Sequence, residues 1–187
     1  NILVFDKNAK VIAVSNKNNE YLIGKILTQD WVEKTLILRD TSKYCVSKFE
    51  KSALYDNEST YIYSSAIRSF KDEKIITGGI AVVFDSTPQF NAMLDESLPR
   101  DIDGNKISGI FALFTDKDKK IISSTNDNFQ VDSYLNIDDK FFNLKNAQQK
   151  SQIIEMNNKY YAVAVKCSNG YREYKSRIDD YKNDVLC

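Results

Sequence analysis

The sequence predicts an α+β fold built from two similar modules in tandem, each an antiparallel sheet with helices covering one face. Two internal echoes and the order of the elements predict it. Phe5-Asp-Lys-Asn-Ala-Lys-Val-Ile-Ala-Val-Ser-Asn-Lys-Asn18 returns as Thr115-Asp-Lys-Asp-Lys-Lys-Ile-Ile-Ser-Ser-Thr-Asn-Asp-Asn128, every position displaced by the same interval. Tyr63-Ser-Ser-Ala-Ile-Arg-Ser69 is echoed by Tyr161-Ala-Val-Ala-Val-Lys-Cys167. A spacing of roughly a hundred residues is too long for a solenoid repeat and suits two small domains. The expected division is a first module over 1–99, a linker over 100–106 and a second module over 107–187.

Each copy of the first echo reads as an apolar strand, an Asp-Lys-Asn/Asp-x-Lys turn and a β-branched strand, the signature of a hairpin. In module one, Tyr21–Lys25 follows, and then Asp30–Arg39, a short helix capped by Asp30 with Trp31, Leu36 and Leu38 among its apolar positions. Thr35–Leu38 also suits a strand. Ser42–Tyr55 reads as a long connection lying over a sheet. Tyr61–Arg68 is a strand, Phe70–Lys74 a turn, and Ile75–Phe84 a nearly uncharged strand that should be covered or central. Gly78-Gly79 read as a tight turn at its start, since phosphate-binding loops follow a strand rather than precede one. Ser86 or Thr87 then caps a helix with Pro88 in its first turn, an apolar face of Phe90, Met93, Leu94 and Leu98, and Pro99 as its stop.

Asp103-Gly104 marks the linker. Module two runs through strands Ile107–Thr115 and Ile121–Thr125 and an irregular helix-bearing stretch over Val131–Gln149. Strands Ser151–Met156 and Tyr160–Val165 follow, joined by an Asn157-Asn158 turn. Strand, strand, helices and further strands make an antiparallel sheet with helical cover. Asn1–Phe5 begins inside a strand pattern and Asp184–Cys187 ends in one, so the chain reads as a region of something larger.

Composition excludes several classes of function. Lys+Arg and Asp+Glu both number 26, leaving no net field to draw in nucleic acid or anionic lipid. No apolar run approaches the roughly 20 residues that span a bilayer. There is no histidine, which removes imidazole-activated nucleophiles and His-ligated metals. Carboxylates are plentiful, but no pair stands apart from solvated surface charge, so no catalytic residue is assigned. Cys45, Cys167 and Cys187 have neither metal-ligand nor redox spacing, and their odd number leaves at least one free thiol. No metal or cofactor is expected.

The order of strand, Asp-Lys-x-x-Lys turn, strand, helical insert, Tyr61-Ile-Tyr-Ser-Ser-Ala-Ile-Arg68, turn, Gly78-Gly-Ile-Ala-Val-Val-Phe-Asp85 and short helix resembles the Cache type of PAS-like sensor module. Gly170–Lys175 and Tyr181–Val185 look like the closing part of such a region. The resemblance covers nearly the whole chain. It implies a ligand-sensing region of a bacterial chemoreceptor or related signalling protein, binding a small molecule without turnover. It also implies output domains beyond Cys187 and a homodimer through the parent protein. Family habit puts such tandems outside the inner membrane, while the free thiols and the missing N-terminal helix lean toward the cytoplasm.

In PAS-like folds the pocket lies between the sheet and the segments inserted after the first hairpin. The resemblance therefore nominates Trp31, Arg39 and Tyr44 from the insert and Tyr61, Tyr63, Arg68 and Asp85 from the strands. Aromatic walls with a few fixed polar groups are what small-molecule sites need. Asp85 stands where amino-acid-binding Cache domains hold an ammonium group, but the Arg-x-Trp-Tyr run of that signature is absent, so the ligand class stays open. Each nominee has a structural reading as well. Trp31 would serve a helix-to-sheet core. Tyr61 and Tyr63 share one strand face and one fate. Arg68, matched by Lys166, would be a solvated strand end, and Asp85 a helix cap. The alternative class is a PAS-like docking or dimerisation module without a ligand.

Overall fold

The computed structural model describes residues 1–145, 147–156, 158–168 and 185–187, and its contacts divide the chain into two compact units, 1–86 and 87–187. In the first unit, β1 (Ile2–Asp6) and β2 (Val11–Val14) form the expected hairpin. Asp6 Oδ1 accepts from the backbone N–H of Asn8 at 2.8 Å and of Lys10 at 2.9 Å, and Ala9 takes the left-handed conformation at φ 62°. This is the local bonding by which Asp competes for a turn. After a 3-10 turn over Lys17–Leu22 comes α1 (Asp30–Leu36), which buries Trp31, Val32 and Thr35. The helix ends at Leu36, and Thr35–Leu38 is no strand. Thr35 Oγ1 bonds back to Trp31 O at 2.7 Å, keeping this residue inside the last helical turn.

Short strands follow: β3 (Cys45–Val46), β4 (Glu50–Lys51) and β5 (Ser59–Thr60). The long strands β6 (Ile62–Arg68) and β7 (Ile76–Val83) complete the sheet, whose order is β2-β1-β7-β6-β3, antiparallel throughout. Its register puts Leu3 opposite Ala81, Phe5 opposite Gly79 and Ser64 opposite Ala81. Leu3, Phe5, Ile62, Ala81 and Val83 therefore share one face, and they form the core with Trp31, Val32, Leu22, Leu27 and Leu54. The other face leaves Ile2, Ile80 and Val82 about two-fifths exposed.

Gly78 and Gly79 make no turn; they lie within β7. A Cβ on Gly79 would stand 2.3 Å from Phe5 Cζ, and one on Gly78 would stand 2.1 Å from Phe5 O. Close approach of a neighbouring strand, rather than chain reversal, is what these glycines permit.

The second unit begins within α2 (Ser86–Ser97). Strand β8 (Leu113–Thr115) pairs with β9 (Ile121–Ser124), and β10 (Gln149–Met156) with β11 (Lys159–Lys166). The strand expected from Ile107 starts only at Leu113, beyond Gly109 at φ 81°. The helical cover expected over Val131–Gln149 is a single 3-10 turn, Asp139–Phe141.

The two pairs are joined by the segment Val185–Cys187. Leu186 exchanges both backbone bonds with Thr115, at 2.8 and 2.9 Å, and Cys187 does the same with Lys166, at 2.7 and 3.0 Å. The resulting order, β9-β8-(185–187)-β11-β10, repeats that of the first sheet. The repeat extends to detail. Lys119 is left-handed as Ala9 is, Asp116 accepts from Lys120 N as Asp6 does from Lys10 N, and each hairpin's register shifts at the same place, Val4/Phe5 and Phe114/Thr115. Phe141, Phe142, Leu144, Cys167 and Leu186 fill this unit's core. The readings made for Asn157, for Gly170–Lys175 and for 181–184 of the Tyr181–Val185 run lie outside the described residues.

Candidate functional site

The nominated residues fall into four places within or beside the first unit. Trp31 is 3% exposed and meets Phe5 edge to face at 5.8 Å, between α1 and the sheet. Its indole N–H is buried without an acceptor among the described residues. Tyr44, Tyr61 and Tyr63 gather on the opposite face of the sheet. Tyr63 lies against Tyr44 at 6.4 Å and Phe84 at 6.2 Å, and Tyr61 against Phe49 at 5.2 Å. Asp85 accepts a hydrogen bond from Tyr55 Oη at another corner. Arg39 and Arg68 alone come together in one cleft.

That cleft, about 550 Å³, opens where the chain leaving α1 passes the β6–β7 turn. Ile37, Leu38 and Ile76 supply its apolar surface, and Arg39, Arg68, Asp40, Glu73 and Lys74 its charges. Strand β6 delivers Arg68 at a register shift after Ile67. Its guanidinium donates through Nη1 to Glu73 O at 2.7 Å and through Nη2 to Leu38 O, so the arginine staples the turn to the end of the helix. Nε is buried with no acceptor among the described residues. Two carbonyls hold this cation without neutralising it.

Arg39 is exposed, and among the described residues its guanidinium makes no hydrogen bond or ion pair, which leaves a fork that suits bidentate contact with a carboxylate. Asp40 turns back to the backbone N–H of Ser42 at 2.9 Å and its hydroxyl at 2.8 Å. Those bonds, aided by Lys43 and Arg68, hold its carboxyl below the ordinary range. Asp40 therefore stays ionised.

Asp40, Glu73 and Lys74 escaped sequence reasoning. A turn rich in charge reads as solvated surface, and only the fold brings Phe70–Lys74 beside residues 37–41. The one available signal was Arg68 itself, a cation closing an otherwise uncharged strand. Among the described residues no group of three or more Cys, Asp or Glu is arranged to hold a metal.

No family model matches this chain. No curated protein matches it either. Solved structures do. The extracellular ligand binding receptor from Desulfohalobium retbaense aligns with a TM-score of 0.65 and 12% identity over 100% of this chain and 29% of its own. The sensory domain of the Campylobacter jejuni chemoreceptor Tlp3 aligns at 0.57 and 16% identity, over 99% of this chain and 64% of that one. The Tlp3 ligand-binding domain in complex with L-valine aligns at 0.56 and 15% identity, over 100% and 64%. The chain thus spans under two-thirds of these structures. At such identities the likeness establishes the fold alone, an α+β arrangement of PAS-like kind.

Proposed function

We propose that this chain is the ligand-sensing region of a bacterial signal-transduction protein of the chemoreceptor kind, lying outside the inner membrane and binding a small carboxylate-bearing molecule through its first module. The reading takes the chain as a tandem Cache region, modules 1–99 and 107–187 around the linker 100–106, that passes its change to signalling domains beyond residue 187.

The observation that carries it is the convergence of Arg39 and Arg68 on one cleft with apolar walls. The two cations suit a carboxylate, Asp40 and Glu73 suit an ammonium group, and Ile37 and Ile76 suit an aliphatic side chain. A free amino acid presents all three. The structural likeness to a sensory domain solved with L-valine and with isoleucine supports the same class. A ligand that grips Arg39 and Arg68 in one arrangement of the 37–41 segment better than in another shifts the population toward it, and a few kcal/mol of differential affinity suffices.

The test is thermal shift and calorimetry on residues 1–187 with amino acids and short organic acids. Binding raises the melting temperature by mass action, and Arg39→Ala, which touches no structural bond described above, abolishes the rise. A panel without a single hit, or a hit unaffected by Arg39→Ala, overturns the proposal. A second reading, a docking or dimerisation module, is favoured by the apolar sheet face of Ile2, Ile80 and Val82. It predicts a concentration-dependent dimer in sedimentation that Val82→Lys disperses.

A further inference from the structure

The second unit holds a cleft of different chemical character, about 380 Å³, beside the loop that follows β9. Ile122 and Ser123, each 2% exposed, are its buried residues. Asn91 of α2 and Asn126, Asp127, Phe129 and Gln130 of the loop complete its chemistry, and among the described residues no lysine or arginine lines it. An anion would face the Asp127 carboxylate with no cation to offset it, so carboxylates and phosphates are poor candidates.

The polar groups are held in fixed directions. Ser123 Oγ donates to Asn91 Oδ1 at 2.8 Å, which commits the oxygen of that amide inward and leaves its NH2 to a ligand. Ser124 Oγ accepts from Asn126 N at 2.9 Å and donates to Asn126 O at 2.8 Å. Asn126 Oδ1 accepts from Asn128 N at 3.0 Å, so this amide too presents its NH2. Phe129 is braced by Phe111, stacked at 5.1 Å and 21°. The result is a pair of oriented amide donors, a carboxylate acceptor and an aromatic wall.

We propose that this cleft binds an uncharged polyhydroxylated molecule of monosaccharide size. Hydroxyl groups both donate and accept, so neighbouring hydroxyls can satisfy the Asn91 and Asn126 amides and the Asp127 carboxylate at once. The C–H face of a sugar ring can lie on the Phe129 wall. The part-buried Ser123–Asn91 bond sets the donor before any ligand arrives, which reduces the ordering cost of binding. This site is independent of the Arg39 cleft, and neither proposal needs the other.

The experiment is calorimetry on the whole 187-residue chain with glucose, galactose, mannose, ribose and inositol, beside choline and ethanolamine as cationic probes. Saturable binding of at least one neutral sugar or polyol is expected, weakened about tenfold by Asn91→Ala and by Asp127→Ala and unchanged by Arg39→Ala. Circular dichroism confirms that each variant is folded. No binding of any neutral member, binding untouched by both variants, or binding of the amines alone overturns the proposal.

Discussion

Adding one methyl group to β7 tests the packing of the first unit at its tightest point. In Gly79→Ala the new Cβ would lie 2.3 Å from Phe5 Cζ and 2.8 and 2.9 Å from the two Cε atoms. Carbon atoms rest at about 3.5–4.0 Å, so the ring must retreat by more than about 1 Å. Phe5 is 1% exposed and its ring meets Trp31, itself 3% exposed, so the retreat runs into a filled core. Overpacking of this kind costs about 1–3 kcal/mol, and in a unit of this size each kcal/mol lowers the melting temperature by about 4–8 °C. Trp31 is the only tryptophan, so its fluorescence in a urea titration reports from the site of the clash. The midpoint should fall at unchanged slope. Trimming the ring in the double variant Phe5→Leu/Gly79→Ala should cost less than the sum of the two single changes by about 1 kcal/mol, the mark of direct contact. An unchanged midpoint for Gly79→Ala, or additive single changes, refutes the account. Gly78→Ala supplies the contrast, because its Cβ meets the Phe5 carbonyl at 2.1 Å and no side-chain substitution can relieve a clash with backbone.

Three further outcomes are expected. Thr35 Oγ1 donates to Trp31 O at 2.7 Å, so in its 2.6 Å contact with Ser64 Oγ it must accept; Thr35→Val strands the buried Ser64 hydroxyl and should cost about 1–3 kcal/mol, partly recovered in Thr35→Val/Ser64→Ala. Burial raises the Asp116 carboxyl above its ordinary value of 3.8, outweighing the pull of the Lys120 and Asp118 backbone N–H groups. Folding therefore favours the protonated form, and the Asp116 contribution is greatest below the ordinary value and falls as pH rises through the raised one. Urea titrations of wild type and Asp116→Asn over acidic pH should differ by a component with that sign, and a difference that grows the other way sinks the assignment. Finally, Cys167 is 0% exposed while Cys187 is exposed, and Cys187 is paired with Lys166 rather than with Cys167. A thiol reagent should spare Cys167 until the chain unfolds, and oxidation should not join these two cysteines.

The hairpins were legible because their information is local. An Asp that bonds two and four residues ahead, and a position that must go left-handed, act within a single turn, and the same pattern at Asp6 and Asp116 builds the same turn twice. The strands β6, β7, β10 and β11 were legible from β-branched and aromatic runs. Gly78-Gly79 was not, because a glycine needed for space looks in sequence like a glycine needed for a turn, and the difference lies in Phe5, far away along the chain. The candidate site was half legible for the same reason. Arg39 and Arg68 are conspicuous cations near apolar segments. That they share a cleft while Trp31, Tyr61 and Asp85 do not depends on the strand faces and on where α1 stops. Helix propensity places that stop loosely; in the structure Ile37 leaves helical geometry at φ −107° and ψ 3°, and Leu38 N–H bonds to Thr35 O at 3.2 Å across the last turn.

Duplication also explains why two sheets of one topology can carry different chemistries. The order β2-β1-β7-β6-β3 and its repeat, β9-β8-(185–187)-β11-β10, are fixed by backbone pairing and by core residues such as Leu3, Phe5 and Leu186, positions where a change costs stability. The inserts answer to no such constraint. Between β2 and β3 the first unit spends its insert on a helix and the Arg39 segment; after β9 the second spends its own on the Asn126–Gln130 loop and a single 3-10 turn. One cleft carries charges of both signs, and the other, among the described residues, only Asp127, though the scaffold beneath each has the same strand order. Fold therefore constrains where a ligand can sit, and the insert decides what it is. If exchanging the 37–41 segment alone for uncharged residues left the proposed amino-acid binding intact, that division of labour between scaffold and insert would fail.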